Sequence, residues 1–198
     1  MQEAPPPLTT RFLAAVALAA EVHAGRRRLG TEIPYMAHLL IVTGLVLEDG
    51  GDETDAIASM LHDAVEDGGG RPMLERIRSD FGERVATIVE ICSDSVDADD
   101  ERPWRERKAA YLEHLPSVTD DAALRIALAD KLHNARSLVR DHRAEGAALW
   151  HRFEGRSPGD QLAYYKGLVA FFDERRPGPL TEDLKRAVAE LTALIDSE

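Results

Sequence analysis

Residues 59–70 read SMLHDAVEDGGG, a histidine and three carboxylates within six residues, closed by three glycines. The fold turns on what this stretch is. Apolar residues around it recur at spacings of three and four, and no period-two run bounded by hairpin turns occurs in the chain. Asp52 or Thr54 is placed to cap a helix that carries the motif as far as Gly68. On such a helix His62 and Glu66 are four apart, as are Asp63 and Asp67. The arrangement is electrostatically odd. A helix C-terminus already carries partial negative charge, and each further anion there costs about a few tenths of a kcal/mol. Either the acids face water, or a cation beside them reverses the sign.

Working outward, helices follow one another in both directions. Thr9 or Thr10 caps a first helix to about Ala24, with Phe12, Leu13, Val16, Ala19, Ala20 and His23 on one face. GRRRLGTEIPY is a basic loop, and a second helix spans about Tyr35 to Leu47. After the motif, Pro72 opens a fourth helix, PMLERIRSDFG, and a fifth runs from Glu83 to Cys92. An acidic loop precedes Pro103 and a sixth helix to about Leu115. Asp120 or Asp121 starts a long seventh helix with Leu124, Ile126, Leu128, Leu132 and Leu138 inside. A further helix carries Tyr164, Tyr165 and Phe172, and Thr181, Glu182 and Asp183 open the last. The expected fold is all-α, about nine or ten helices, with residues 1–8 a disordered leader and 9–198 a single domain.

Composition narrows the function. The formal net charge is −12, which argues against broad attraction to nucleic acid or anionic membrane. Cys92 is the only cysteine, so thiolate zinc sites and an intrachain disulfide are excluded, in keeping with a cytoplasmic location. The run from Phe12 to Ala20 is short for a secretory h-region and is preceded by Glu3, so it reads as a helix face. No run approaches the ~18 apolar residues of a membrane span.

Imidazole with carboxylates suits Mn²⁺, Fe²⁺ or Zn²⁺. His62 and Asp63, about 100° apart around a helix axis, can both lean toward one ion, and further ligands must come from elsewhere. His38 lies in PYMAHLL, and Asp130 in the otherwise apolar ALADKLHN, where an unpaired carboxylate is expensive to bury. Taken singly, His38 reads as a core histidine, Asp130 as a partner of Lys131 or an arginine, and Glu66 and Asp67 as a solvated helix end. The conjunction in chain order favours chemistry.

HAGRRRLGTEIPYMAH (23–38), LHDAVED (61–67), DFGERVATIVEICSD (80–94), ERKAAYLEHL (106–115) and ALADKLHN (127–134) together resemble the HD-type alarmone hydrolases. These include the hydrolase half of RelA/SpoT proteins and their short single-domain relatives. The resemblance spans about Phe12 to Phe172. It implies one divalent metal ion, commonly Mn²⁺, held by His38, His62, Asp63 and Asp130, with Glu66 and Asp67 as catalytic acids that activate or position water. It implies removal of the 3′-pyrophosphate from (p)ppGpp, giving GDP or GTP and pyrophosphate. The substrate contacts it suggests are Arg27, Arg28, Tyr35, Lys131, Asn134 and Tyr164, with Lys108 a further phosphate candidate. The chain departs from the family pattern at Arg26 (usually glutamine), Leu39 (proline), Gly68 (threonine) and Asp160 (arginine in some short relatives). These changes leave two alternatives open: the same site acting on another nucleotide, such as an NADPH 2′-phosphatase, or a nucleotide-binding regulator without turnover.

Overall fold

A run of capped helices fills the computed structural model, which describes residues 8–93, 102–153 and 156–197. The expected leader, apart from Leu8, and the acidic loop from Asp94 to Glu101 lie outside the described residues. Among those described there is no β-strand, and the one isolated bridge pairs Arg27 with Pro34. The helices are α1 (Thr10–Val22), α2 (Met36–Glu48), α3 (Glu53–Met60), α4 (Ala64–Asp67), α5 (Arg71–Cys92), α6 (Trp104–His114), α7 (Asp121–Glu145), α8 (Pro158–Arg175) and α9 (Pro179–Asp196). Short 3₁₀ turns lie at Leu115–Ser117 and Gly146–Arg152. The all-α expectation holds.

The described residues fall into two compact units, one within 1–100 and 120–127, the other within 101–119 and 128–198. In the first unit α3 is central: every residue from Asp55 to Met60 is buried, and α3 packs against α1, α2 and α5. Its N-terminus is capped by Asp52, whose carboxylate accepts from the Asp55 amide at 3.0 Å. Thr9 caps α1 in the same way, accepting from the Arg11 amide at 3.1 Å. The buried side of α1 is Ala15, Leu18, Ala19 and then His23, whereas Leu13 and Ala20 face outward. The expected face is thus rotated: Ala19 and His23 are buried and Phe12 and Val16 half-buried as expected, but Ala15 and Leu18 take the inward places given to Leu13 and Ala20.

The fourth and fifth helices expected from sequence are the two segments of α5, which meet end to end at a kink at Gly82, with φ 83° and ψ 167°. That backbone region is open essentially to glycine alone. The kink resets the apolar face from Met73, Leu74, Ile77 and Phe81 to Val85, Ala86, Ile88 and Val89.

The largest correction concerns the motif. The helix carrying it does not run to Gly68. It ends at Met60, and Leu61, His62 and Asp63 form a turn before α4. The Leu61 amide is shared between the Ile57 and Ala58 carbonyls at 3.2 Å each, and the Ala64 amide bonds back to Leu61 at 2.9 Å. Leu61 (φ −107°, ψ 5°) and Asp63 (φ −95°, ψ −3°) sit in the sparsely occupied bridge region.

In the second unit α6 and α9 each pack on α8. A capping box starts α8: Ser157 accepts from the Asp160 amide while Asp160 accepts from the Ser157 amide. Tyr164, Tyr165, Leu168 and Phe172 are buried along α8.

Candidate metal centre

Three acid-base side chains converge in the first unit. His38, on the first turn of α2, and His62, in the turn after α3, are 1% and 3% exposed. Their Nε2 atoms lie 3.5 and 3.2 Å from one oxygen of Asp63, Oδ2. The two imidazole centroids are 5.3 Å apart. The Tyr35 hydroxyl donates to the same Oδ2 at 2.6 Å.

The His62 ring is oriented by the backbone. Its Nδ1 lies 2.7 Å from the Ser59 carbonyl oxygen, which can only accept, so Nδ1 carries the proton. In the neutral ring this leaves the Nε2 lone pair aimed toward a carboxylate oxygen. Lone pair against anion is unfavourable unless the ring is protonated or a cation stands near both. Burial alone would push the Asp63 pKa up. The charges of His62 and His38 and their hydrogen bonds outweigh it and hold the carboxyl well below the usual carboxylate range. Ionised Asp63 with two buried imidazoles, that of His62 oriented by the backbone, is a donor set suited to a divalent ion, and a backbone-oriented histidine is the usual supporting arrangement.

A second layer surrounds this set. His23, at the C-terminal end of α1, stacks on Tyr35 with centroids 4.8 Å apart and planes 18° off parallel. Its Nδ1 lies 3.2 Å from Asp67 Oδ2, while Arg26 donates to Asp67 Oδ1 at 2.5 Å. Asp67 thus accepts from Arg26 on one side and lies against the His23 ring on the other. Glu66, beside it on α4, is exposed at the site's edge. The basic loop makes a tight return: the Arg28 amide donates to Ile33 at 2.8 Å and the Tyr35 amide to Arg26 at 3.0 Å. Arg27 pairs with Glu32, and the Arg28 guanidinium lies 5.7 Å from the Tyr35 ring centroid.

In the second unit α7 carries Asp130, 8% exposed. Lys131 donates to its Oδ2 at 2.7 Å and Asn134 to its Oδ1 at 2.5 Å. Lys131 also lies 5.0 Å from the Tyr111 ring centroid. Tyr164 is buried among Trp104, Tyr111 and Tyr165, and Lys108 approaches both Tyr111 and Tyr164. His38, His62 and Asp130 are each of a type that offers a metal one ligand atom.

Sequence reasoning placed His38, His62, Asp63, Asp67, Lys131 and Asn134 among candidate residues. It gave no role to His23 and treated Arg26 as a departure from the family pattern. The signal was present, since both lie in the same HAGR stretch and an acid as polar as Asp67 needs partners when half-buried.

Residues 15–158 match the HD domain family. The chain belongs to the HD domain family. Within it, the likeness is to HD-type (p)ppGpp hydrolases. A protein of Synechocystis sp., probable guanosine-3′,5′-bis(diphosphate) 3′-pyrophosphohydrolase, is 34% identical over 63% of this chain and 16% of its own length. The bifunctional (p)ppGpp synthase/hydrolase SpoT of Escherichia coli is 31% identical over 65% of this chain and 18% of its own. The chain therefore spans under a fifth of these curated relatives. A solved structure of a metazoan ortholog of SpoT that hydrolyses ppGpp superposes with a TM-score of 0.65. It is 25% identical, covering 98% of this chain and 96% of that one. No helix among the described residues is long and apolar enough to cross a membrane.

Proposed function

We propose that this protein is a metal-dependent phosphohydrolase that removes the 3′-pyrophosphate of (p)ppGpp, releasing GDP or GTP and pyrophosphate, in the cytoplasm. The observation that carries the reading is the convergence of His38 Nε2, His62 Nε2 and Tyr35 Oη on the single Asp63 oxygen. It is joined by a likeness to a ppGpp-hydrolysing protein over nearly the whole of both chains. In this reading Asp130 completes the ligand set with His38, His62 and Asp63, and Mn²⁺ is the resident ion.

A bound divalent ion would lower the pKa of water and neutralise phosphoryl oxygens. The chain's own residues do the rest. Asp67, fixed by Arg26 and set against the His23 ring, keeps carboxylate lone pairs available to accept from and orient water. Glu66, on the exposed side of α4, takes the proton from the attacking water. Arg28, stacked near Tyr35, and Lys131 meet the substrate phosphates, with Arg27, Asn134 and Tyr164 as further contacts. Arginine forks match phosphate oxygens in pairs, which a lysine does not.

Purified protein loaded with Mn²⁺ and given ppGpp tests the reading by product analysis. Pyrophosphate and GDP in equal amounts are expected. No turnover of ppGpp, with orthophosphate released from NADPH instead, transfers the site to another nucleotide. No turnover of either makes it a binding protein.

A further inference from the structure

Arginines in this acidic chain are generally spoken for. Arg76 pairs with Glu21, Arg84 with Asp120, and Arg125 with Asp49 and Asp55. The second unit breaks the pattern at Arg107 and Arg156. Arg156, half-buried ahead of α8, lays its guanidinium 5.3 Å from the Trp104 ring centroid and 5.7 Å from that of Phe153. Arg107 lies three residues beyond Trp104 on α6, hence on the same helix face. The Nε atoms of both arginines are buried and make no hydrogen bond, and among the described residues neither arginine is paired with a carboxylate. The nearest acid at the start of α8 is committed elsewhere: Asp160 accepts from Ser157 and from Arg105 at 2.6 Å.

Two like charges held partly out of water, without a counter-ion, form an unfavourable arrangement in a folded protein. Burial, and then the charge of Arg107, pull the Arg156 pKa below the usual guanidinium value, while Tyr165 acts in the opposite sense. Stacking on Trp104 relieves some of this but supplies no negative charge. An acidic chain has many carboxylates with which to neutralise the pair, and none of those described does so. The vacant acceptor role suits an oxyanion. Guanidinium forks bind phosphate oxygens in pairs, and an aromatic wall beside them excludes water that would weaken the contact.

We propose that Trp104, Arg107 and Arg156 form an anion site for a phosphate group, separate from the metal ligands. The phosphate has two possible sources. It can be a free anion such as pyrophosphate, or a phosphate carried by a nucleotide, since Trp104 also packs against Tyr164 with centroids 5.8 Å apart.

The chain has two tryptophans, so Trp150→Phe leaves Trp104 as the sole indole reporter. That protein is titrated with pyrophosphate in the presence of EDTA, which removes any contribution from a metal centre. A saturable change in Trp104 fluorescence is expected, weakened about tenfold or more by Arg156→Gln and by Arg107→Gln. Titration with GDP identifies the source: tighter binding than pyrophosphate marks a nucleotide phosphate, and equal or weaker binding a free anion. Either result supports the site. As a second measurement on the protein with both tryptophans, pyrophosphate raises Tm in the parent and not in Arg107→Gln. No saturable response in the parent, or the same response and the same rise in Tm in parent and variants, overturns the proposal.

Discussion

Arg125→Met is the perturbation whose size the structure defines best. Arg125 lies in the first turns of α7 and reaches three carboxylates of its own unit: Asp55 at 2.5 Å, Asp121 at 3.0 Å and Asp49 at 3.3 Å. Its side chain is 15% exposed, and those of Asp49 and Asp55 are 11% each. The Asp121 contact, 69% exposed on the acid side, adds no more than about a few tenths of a kcal/mol. The other two are buried pairs, and removing one partner of a buried pair costs about 3–5 kcal/mol. Methionine keeps most of the stem packing, so the low end, about 3 kcal/mol near neutral pH, is expected. For a chain of this size that lowers Tm by roughly 6–12 °C. The pH dependence gives the sharper test. Burial, and next the charge of Asp52, already raise the Asp55 pKa above its usual 3.8, with Arg125 opposing them. A carboxyl with a raised folded pKa holds its proton longer in the native state than in the unfolded one, so it weakens the fold as pH rises through that window. Without Arg125 the pKa rises further. The penalty of the variant is then largest near neutral pH and shrinks in acid, as Asp55 takes up its proton in the native state. Urea unfolding followed by far-UV circular dichroism across a pH series from neutral into acid measures it. A penalty that stays constant with pH, or is below about 1 kcal/mol at neutral pH, refutes the charge-based account.

Gly82→Ala is expected to cost about 1–3 kcal/mol in the same unfolding assay, because alanine is strained at this backbone conformation whatever space surrounds it; the nearest atom to an added Cβ is Arg11 Nη2, an uncrowded 3.8 Å away. A loss under half that would show that the kink relaxes freely. Tyr35→Phe removes the hydroxyl that donates to Asp63, and Mn²⁺ affinity by calorimetry should fall about 10–100-fold with the fold intact. Unchanged affinity would take Tyr35 out of the ligand support. Glu66→Gln should lower turnover of ppGpp by about 10²–10⁴-fold while metal content stays at the wild-type level. Comparable turnover would remove Glu66 from the proton transfer.

Local chemistry made most of the helix inventory legible. Thr9 and Asp52 cap where a side-chain oxygen precedes an apolar run, and the break at Gly82 follows from a glycine between two runs of different phase. Leu124, Ile126, Leu128, Leu132 and Leu138 are all buried as the pattern requires. What escaped was set by partners distant in sequence. Which face of α1 turns inward depends on the helices packed against it, and the buried side carries Ala15, Leu18 and Ala19 while the larger Leu13 stays exposed. His23 and Arg26 meet Asp67 across more than forty residues, a contact that no local spacing encodes. The ends of helices carry local chemical marks, whereas the direction of a polar side chain depends on what lies opposite.

The interrupted helix at His62 brings the side chains of the motif together in a way that a continuous one would not. No glycine or proline lies between Met60 and Ala64, so propensity does not force the break. A continuous helix would separate the His62 and Asp63 directions by about 100° and set Asp63 against a C-terminal dipole. With α3 closed at Met60, Asp63 stands outside the regular helix, as the residue that precedes the single turn of α4. The same turn brings His62 Nε2 and Asp63 Oδ2 to 3.2 Å, and the Ser59 carbonyl at the end of α3 fixes the ring. Adjacent residues thereby point at one place more directly than the roughly 100° separation of a regular helix allows. The bridge-region backbone of Leu61 and Asp63 is the conformational cost of that convergence, and it is met by the buried packing of α3 on three other helices.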